Sequence, residues 1–164
     1  KTTLVNALKE LKQFKDYKFA TERSQHLMSL GIPLNTDSTL KGQTVFLAER
    51  CGELMHDNII TDRTVFDVMA FTMNAKSIPH QDKESFETYA NEFIREYDYI
   101  FYISPHGIEI EDNGVRETDE HYRDLIDFTI TTLIKRYGHK CNIVEKISGS
   151  TEERIQQILN ITGL

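Results

Sequence analysis

The sequence predicts an α/β fold, in which a mostly parallel sheet of about five strands is covered by helices on both faces. Short, almost continuously apolar segments alternate with amphipathic helical segments along the whole chain. This alternation is typical of buried parallel strands and their crossover helices. The 164 residues contain no internal repeat and no linker rich in proline or glycine. A chain of this length can bury a sizeable core, so we expect one domain over residues 1–164.

Four segments have the composition of buried strands, and apolar residues at helical spacing predict helices between them. The strands are "YKFAT" (17–21), "NIITD" (58–62), "DYIFYIS" (98–104) and "CNIVEKI" (141–147). The helices cover residues 4–11, 39–57, 63–75, 82–97 and 119–137, which Gly138 ends, and a last segment opened by a Ser150–Glu153 capping box. Because this order starts on a helix, a strand in front of Lys1 would complete a regular series of five.

Composition narrows the functional classes. The chain is 39% hydrophobic and 27% charged, as in ordinary soluble globular proteins. Its net charge of −7 argues against a broad basic face that coats duplex nucleic acid. The apolar run at 99–103 is far too short to span a membrane.

Cys51 and Cys141 lie far apart without a CxxC partner, which predicts buried reduced thiols and a cytoplasmic location. The histidines show no zinc-binding spacing, and no GxSxG motif occurs.

The chain opens with "KTTLVNALKEL", which runs directly into a helix. Lys1-Thr2 matches the last two letters of the phosphate-binding motif GxxxxGK[ST], in which the lysine reaches the outer phosphates and the hydroxyl binds Mg²⁺. The position of this pair at a helix start predicts the downstream half of a phosphate loop. The alternative is an ordinary helix start, in which a lysine in the first turn slightly opposes the helix dipole.

Acidic and basic residues follow two of the predicted strands. Asp62 ends the strand at 58–62 and is followed by Arg63, and Glu22-Arg23 follows the strand at 17–21. The carboxyl ends of strands are where α/β folds bind ligands, so Asp62 is a candidate for Mg²⁺ and Glu22 for a general base. Asp62 could instead cap the next helix, or could have both roles, and Glu22-Arg23 could be a solvated charge pair.

The segment at 105–118 is acidic, contains two glycines and joins the strongest strand to the clearest helix. It leads into that helix with Arg116 and Arg123 seven residues apart, so the two would share a face if the helix reached back that far. A loop that carries an arginine can close over a transferring phosphoryl group and exclude water. We therefore expect a lid here, with a solvated surface loop as the alternative.

Together these segments resemble the small P-loop kinases and ATPases of the AAA_28 type, a group that includes the ribosylnicotinamide kinase domain of bacterial NAD regulators. Phage-encoded nucleotide and DNA-base kinases are also similar. The resemblance is carried by "KTTLVNAL", "FATER", "NIITDRTVFD" and "YDYIFYISP" with the following "IEIEDNGVRET". It implies a P-loop NTPase-like three-layer α/β/α fold whose first strand and glycine loop lie outside this chain.

The resemblance also implies roles for individual residues, with ATP and Mg²⁺ as cofactors. Lys1 would hold the outer phosphates, Thr2 the metal, and Asp62 the metal or the acceptor. Glu22 would lie near the acceptor as base or binder, Arg63 would bind the acceptor, and Arg116 would belong to the lid. The full set of candidates is catalytic Glu22, Asp62, Arg63 and Arg116, nucleotide-binding Lys1, Thr2, Thr3, Arg116 and Arg123, and metal-binding Thr2 and Asp62.

The function expected from these features is ATP-dependent phosphoryl transfer to a nucleoside, a nucleotide or a related small acceptor. The acidic net charge favours a small acceptor over long duplex DNA. One alternative is a kinase that acts on a modified base in DNA. Others are a nucleotide-binding ATPase or regulatory module without a small acceptor, and a structural interaction domain on a degenerate nucleotide-binding frame.

Overall fold

The computed structural model describes residues 2–21, 24–106 and 120–164. Its helices are α1 (Thr2–Lys9), α2 (Ser24–Ser29), α3 (Leu40–Glu53), α4 (Val65–Asn74), α5 (His80–Ala90), α6 (Glu120–Tyr137) and α7 (Thr151–Thr162). Its strands are β1 (Lys18–Ala20), β2 (Ile59–Thr61), β3 (Tyr99–Tyr102) and β4 (Ile143–Lys146). Within these ranges, none of the helices has the length and apolar character needed to cross a bilayer.

The four strands pair in parallel, which confirms the α/β class. Strand β1 pairs with β2, with Phe19 opposite Ile60, and β3 pairs with β4, with Ile100 opposite Val144. These ladders form two separate two-stranded sheets among the described residues. The expected sheet of about five strands is therefore seen only as two parallel pairs.

Helices pack on both faces of the strands because successive side chains of a strand point in opposite directions. Ile100 of β3 belongs to a core formed mainly by α3, α4, α5 and α6. Its neighbour Phe101 packs against a second core, which contains Leu4 and Leu8 of α1 and Ile158 of α7. Phe19 and Ile60 also pack against this second core. The two sheets therefore share one apolar layer beneath α1 and α7.

Helix α4 is the most deeply buried element. Its sequence VFDVMAFTMN is apolar on almost all sides, as expected for a helix enclosed by other elements. Val65, Phe66, Met69 and Ala70 are at most 1% exposed, and α3, α5 and α6 all contact the helix. Because α4 follows β2 after only three residues, this burial fixes the carboxyl end of β2 against the larger core.

A polar contact joins α5 to the carboxyl end of α6. The buried Glu87 carboxylate accepts hydrogen bonds from Arg136 Nη1 at 2.7 Å and from the Tyr137 hydroxyl at 2.8 Å. Burial, followed by the bond to Glu87, raises the pKa of Tyr137. Both donors bond to Glu87 Oε1, so the buried charge has a cation and a hydroxyl as partners.

Both cysteines are free thiols, and the expected burial is found for Cys141 but not for Cys51. Cys141 is buried and donates from Sγ to the Tyr97 carbonyl at 3.1 Å, whereas Cys51 is half-buried on α3. Burial is the main cause that raises the pKa of each thiol. Both side chains therefore favour the neutral, unreactive form.

The helices differ from expectation at several places. The helix expected at 4–11 is α1, Thr2–Lys9, and the helix expected at 39–57 is α3, which ends at Glu53. The helix expected at 82–97 is α5 followed by a 3-10 segment, Asn91–Glu96, and the Asn91 amide donates to the carbonyls of Glu87 and Thr88 at this junction. The expected helices also left out α2, whose short sequence SQHLMS has little apolar periodicity. The capping box of Ser150 and Glu153 is confirmed at the start of α7.

We predict that Phe66→Ala lowers the free energy of unfolding by about 3–5 kcal/mol, because it leaves a cavity in the larger core. The matched control is Phe128→Ala on α6, where the ring is 70% exposed, and its effect should stay within about 0.5 kcal/mol. Urea denaturation of both variants measures the difference. Equal losses would contradict the central position of α4.

Candidate functional site

The hydroxyl of Thr2 and the carboxylate of Asp62 meet where β2 ends. Thr2 Oγ1 donates a hydrogen bond to Asp62 Oδ2 at 2.5 Å, across 60 positions of sequence. Thr2 is the first residue of α1, and Asp62, which directly follows β2, is 3% exposed. The structure thus brings together two residues that the sequence analysis had placed at one metal site.

The backbone of Asp62 is held on both sides. Its N–H donates to the Ala20 carbonyl at 2.8 Å and so continues the parallel ladder one residue past β2. Its carbonyl accepts from Arg50 Nη1 of α3 at 3.3 Å. Arg50 is itself buried and forms an ion pair with Glu53 at 2.7 Å. The carboxylate of Asp62 therefore projects from a backbone with little freedom to move.

Arg63 adopts a left-handed backbone conformation, with φ of 85°. For a residue other than glycine this conformation costs about 1–3 kcal/mol and occurs often at functional sites. The Thr61 hydroxyl donates to the Arg63 carbonyl at 2.9 Å, and the guanidinium lies 5.5 Å from the centre of the Phe71 ring. A cation over an aromatic face is attracted to it, so the Arg63 side chain is directed toward α4.

Thr64 caps α4, which shows that the alternative role of Asp62 as the helix cap is wrong. The Thr64 hydroxyl accepts from the Phe66 N–H at 3.2 Å, and the Asp67 carboxylate accepts from the Thr64 N–H at 2.9 Å. This capping box satisfies the first turn of α4 without Asp62. The Asp62 carboxylate is left to interact with Thr2.

The remaining candidates are distributed differently. Thr3 is exposed on α1, next to Thr2. Arg123 is half-buried in α6, where its Nε lies 3.5 Å from Asp124. Lys1, Glu22 and Arg116 lie outside the described residues, as do Arg23 and most of the lid expected at 105–118.

Sequence reasoning missed Arg50 and Phe71, although Arg50 left a signal. It lies three residues after Leu47 and four before Leu54, on the apolar stripe of α3. A charged residue at such a position must be paired when it is buried. Phe71 carried no signal of its own, since an aromatic residue on a buried helix is ordinarily a core residue.

A second polar cluster lies at the carboxyl end of β3. The Tyr102 hydroxyl donates to Asp127 Oδ1 at 2.7 Å, and His106 Nε2 lies 3.7 Å from Asp127 Oδ2. Burial, followed by the hydrogen bond to Asp127, raises the pKa of Tyr102 to about 12. The sequence analysis did not single out any of these residues.

The site suits a magnesium ion bound with a phosphate. A hydroxyl and a carboxylate are the hard oxygen ligands that Mg²⁺ takes from proteins, and here their oxygens are 2.5 Å apart. The first turn of α1 contains no acidic residue of its own, and the negative group beside it is the Asp62 carboxylate. A helix start of this kind favours an anion.

Comparison with known proteins gives one family. The family model AAA_28, described as an AAA domain, matches residues 1–154. No curated protein and no solved structure gives a significant match. The match covers every element described above except residues 155–162, which form most of α7.

The raised pKa of Tyr102 predicts a loss of stability at alkaline pH. The folded state favours the neutral phenol, so this contribution is complete below the ordinary pKa of 10 and is lost as the pH rises toward about 12. Tyr97 and Tyr137 also have raised pKa values, mainly because of burial, so they add to the same slope.

We expect Tyr102→Phe to make the free energy of unfolding fall less steeply across this pH range. The control is Tyr89→Phe, at an exposed ring on α5, which should leave the slope unchanged. Urea denaturation at several pH values measures the slopes. The same slope for native protein and for Tyr102→Phe would contradict the assignment.

Proposed function

Because the chain belongs to the AAA_28 family of AAA domains, we propose that residues 1–164 bind ATP with Mg²⁺ at the Thr2–Asp62 pair. The observation that carries the proposal is the hydrogen bond between these two side chains, 60 positions apart. In P-loop NTPases a hydroxyl at the start of a helix and an aspartate at the end of a strand hold the metal. This chain has both groups in contact.

The metal would neutralise charge on the outer phosphates. Thr2 Oγ1 would hold it directly and Asp62 Oδ2 directly or through water, and the first N–H groups of α1 would face the phosphates. Lys1 would reach the outer phosphates, with Thr3 and Arg123 as further nucleotide-binding residues. In the structure the Asp62 carboxylate accepts a hydrogen bond from the Thr2 hydroxyl. A bound metal would take the place of that hydrogen bond as the partner of the carboxylate.

We also propose a fifth parallel strand, followed by a glycine-rich loop, between β2 and β3. Each of these strands has one ladder partner in the described part of the chain. Ile60 of β2 and Phe101 of β3 pack against the same core, which includes α1. A strand inserted there would lead directly into α1 and would join the two pairs into one sheet.

The reaction proposed for this site is phosphoryl transfer to a small hydroxyl-bearing acceptor, such as a nucleoside or nucleotide. The acceptor oxygen forms a bond to the γ-phosphorus while the bond from that phosphorus to the ADP oxygen breaks, and Glu22 takes the acceptor proton. Arg63 would bind the acceptor. The observations that support this role are its strained backbone and the contact of its guanidinium with the Phe71 ring. Arg116 would stabilise the charge on the transferring group.

An acceptor screen separates this reaction from the second candidate, a nucleotide-dependent switch. A kinase releases ADP in an acceptor-dependent manner, whereas a switch turns over slowly whichever acceptor is added. Single-stranded DNA that contains modified bases belongs in the same screen, because it tests the DNA-base kinase alternative. Indifference of the full-length protein to every acceptor would favour the switch.

We predict that Thr2→Val weakens binding of ATP in the presence of Mg²⁺ by roughly tenfold or more, because a metal ligand is lost. Affinity for ATP in EDTA should change little, and Thr2→Ser should restore the Mg²⁺ effect. The control is Thr88→Val on α5, at an exposed residue whose hydroxyl donates to the Glu84 carbonyl. Isothermal titration calorimetry of the full-length protein measures both affinities, and an unchanged Mg²⁺ effect in Thr2→Val would contradict the proposed site.

A further inference from the structure

Arg50 is a buried cation beneath the proposed metal site, and none of the candidate roles includes it. Its side chain is 5% exposed. It lies on α3, whereas the proposed metal ligands lie at the start of α1 and at the end of β2. A buried guanidinium is costly unless its donors and its charge are both satisfied. Two of its contacts with described residues indicate what it contributes.

The guanidinium connects two elements. Nη2 lies 2.7 Å from Glu53 Oε1, one turn along α3, and Nη1 donates to the Asp62 carbonyl at 3.3 Å. The Glu53 carboxylate offsets the charge and orients the planar group. The remaining donors can then be directed at the end of β2.

The contact with Asp62 fixes a strained turn from one side. The Asp62 carbonyl belongs to the peptide that joins Asp62 to Arg63, the residue with φ of 85°. On the other side, the Thr61 hydroxyl holds the Arg63 carbonyl at 2.9 Å. Both carbonyls that flank the strained residue are thus held by side chains, which is how an unfavourable backbone conformation persists.

We propose that Arg50 is a positioning residue, which acts through the backbone of Asp62 to keep its carboxylate in reach of Thr2 and a shared Mg²⁺. This inference rests on the proposed function. Residues behind metal ligands orient those ligands, and their loss weakens metal binding without removing a ligand. Arg50 contributes no atom to the metal or the nucleotide in this account.

The test variant is Arg50→Lys, which keeps a positive charge beside Glu53 but lacks the planar group that reaches two partners at once. We expect the gain in ATP affinity on adding Mg²⁺ to fall by roughly tenfold or more, while ATP affinity in EDTA stays near that of the native protein. The matched control is Arg95→Lys, at an exposed arginine that pairs with Glu92 three residues away. It should leave both affinities unchanged.

Calorimetry of the full-length protein, with and without Mg²⁺, distinguishes the outcomes. Failure of the native protein to bind ATP with Mg²⁺ would refute the proposed function itself. A native Mg²⁺ effect that is unchanged in Arg50→Lys would overturn only the positioning role. Equal losses with and without Mg²⁺ would also overturn it, because they would mean general disturbance of the fold.

A second variant covers the case in which Arg50→Lys does not fold. The double substitution Arg50→Gln with Glu53→Gln removes both charges together, so it leaves no unpaired ion in the core. The same selective loss of the Mg²⁺ effect is expected. If this variant is also unfolded, the arginine serves the core itself and the positioning role is rejected.

Discussion

The hydrogen bond from Thr2 to Asp62 is the contact on which the account of the site depends. It joins the start of α1 to the carboxyl end of β2 and so brings a helix terminus and a strand terminus to one point. Helix α1 reaches this position because Leu4 and Leu8 pack in the core beneath the strands. The apolar face of one helix therefore places the polar residue at its start.

Asp62 is buried, and its position is fixed by contacts from several neighbouring elements. Asp62 continues the ladder with β1 through its N–H, and Arg50 holds its carbonyl from α3. The capping box of Thr64 and Asp67 begins α4 only two residues later. Between these fixed points the backbone of Arg63 adopts a left-handed conformation, which is rare for residues other than glycine. The strain lies beside the proposed metal site, where the surrounding core can maintain it.

Local patterns predicted the parts of this structure that depend on local chemistry. Apolar runs gave the four strands, and the Ser-x-x-Glu spacing gave the start of α7. Asp62 could be selected because it ends a buried strand, and Thr2 because a hydroxyl follows a lysine at a helix start. The contact between them was not predictable from either segment, since it depends on how α1 packs.

Other features depend on tertiary packing and left weaker signals. Arg50 appears in the sequence as a charge on an apolar stripe, but its contact with the Asp62 carbonyl becomes visible only when α3 lies against β2. The 3-10 segment after α5 begins where the Asn91 side chain donates to preceding carbonyls. Apolar spacing gave no sign of this change, so the sequence predicted one continuous helix. The left-handed backbone conformation of Arg63 was not predicted either, because arginine has no preference for that conformation.

The most direct test of the Thr2–Asp62 site is a crystal structure of the full-length protein with Mn²⁺ and a non-hydrolysable ATP analogue. Mn²⁺ stands in for Mg²⁺ and can be located by its anomalous scattering. The proposed site predicts a peak about 2.1 Å from Thr2 Oγ1, the usual distance for a magnesium ligand. The Asp62 carboxylate should hold the same ion directly or through one water. A bound nucleotide whose metal lies away from both side chains would contradict it.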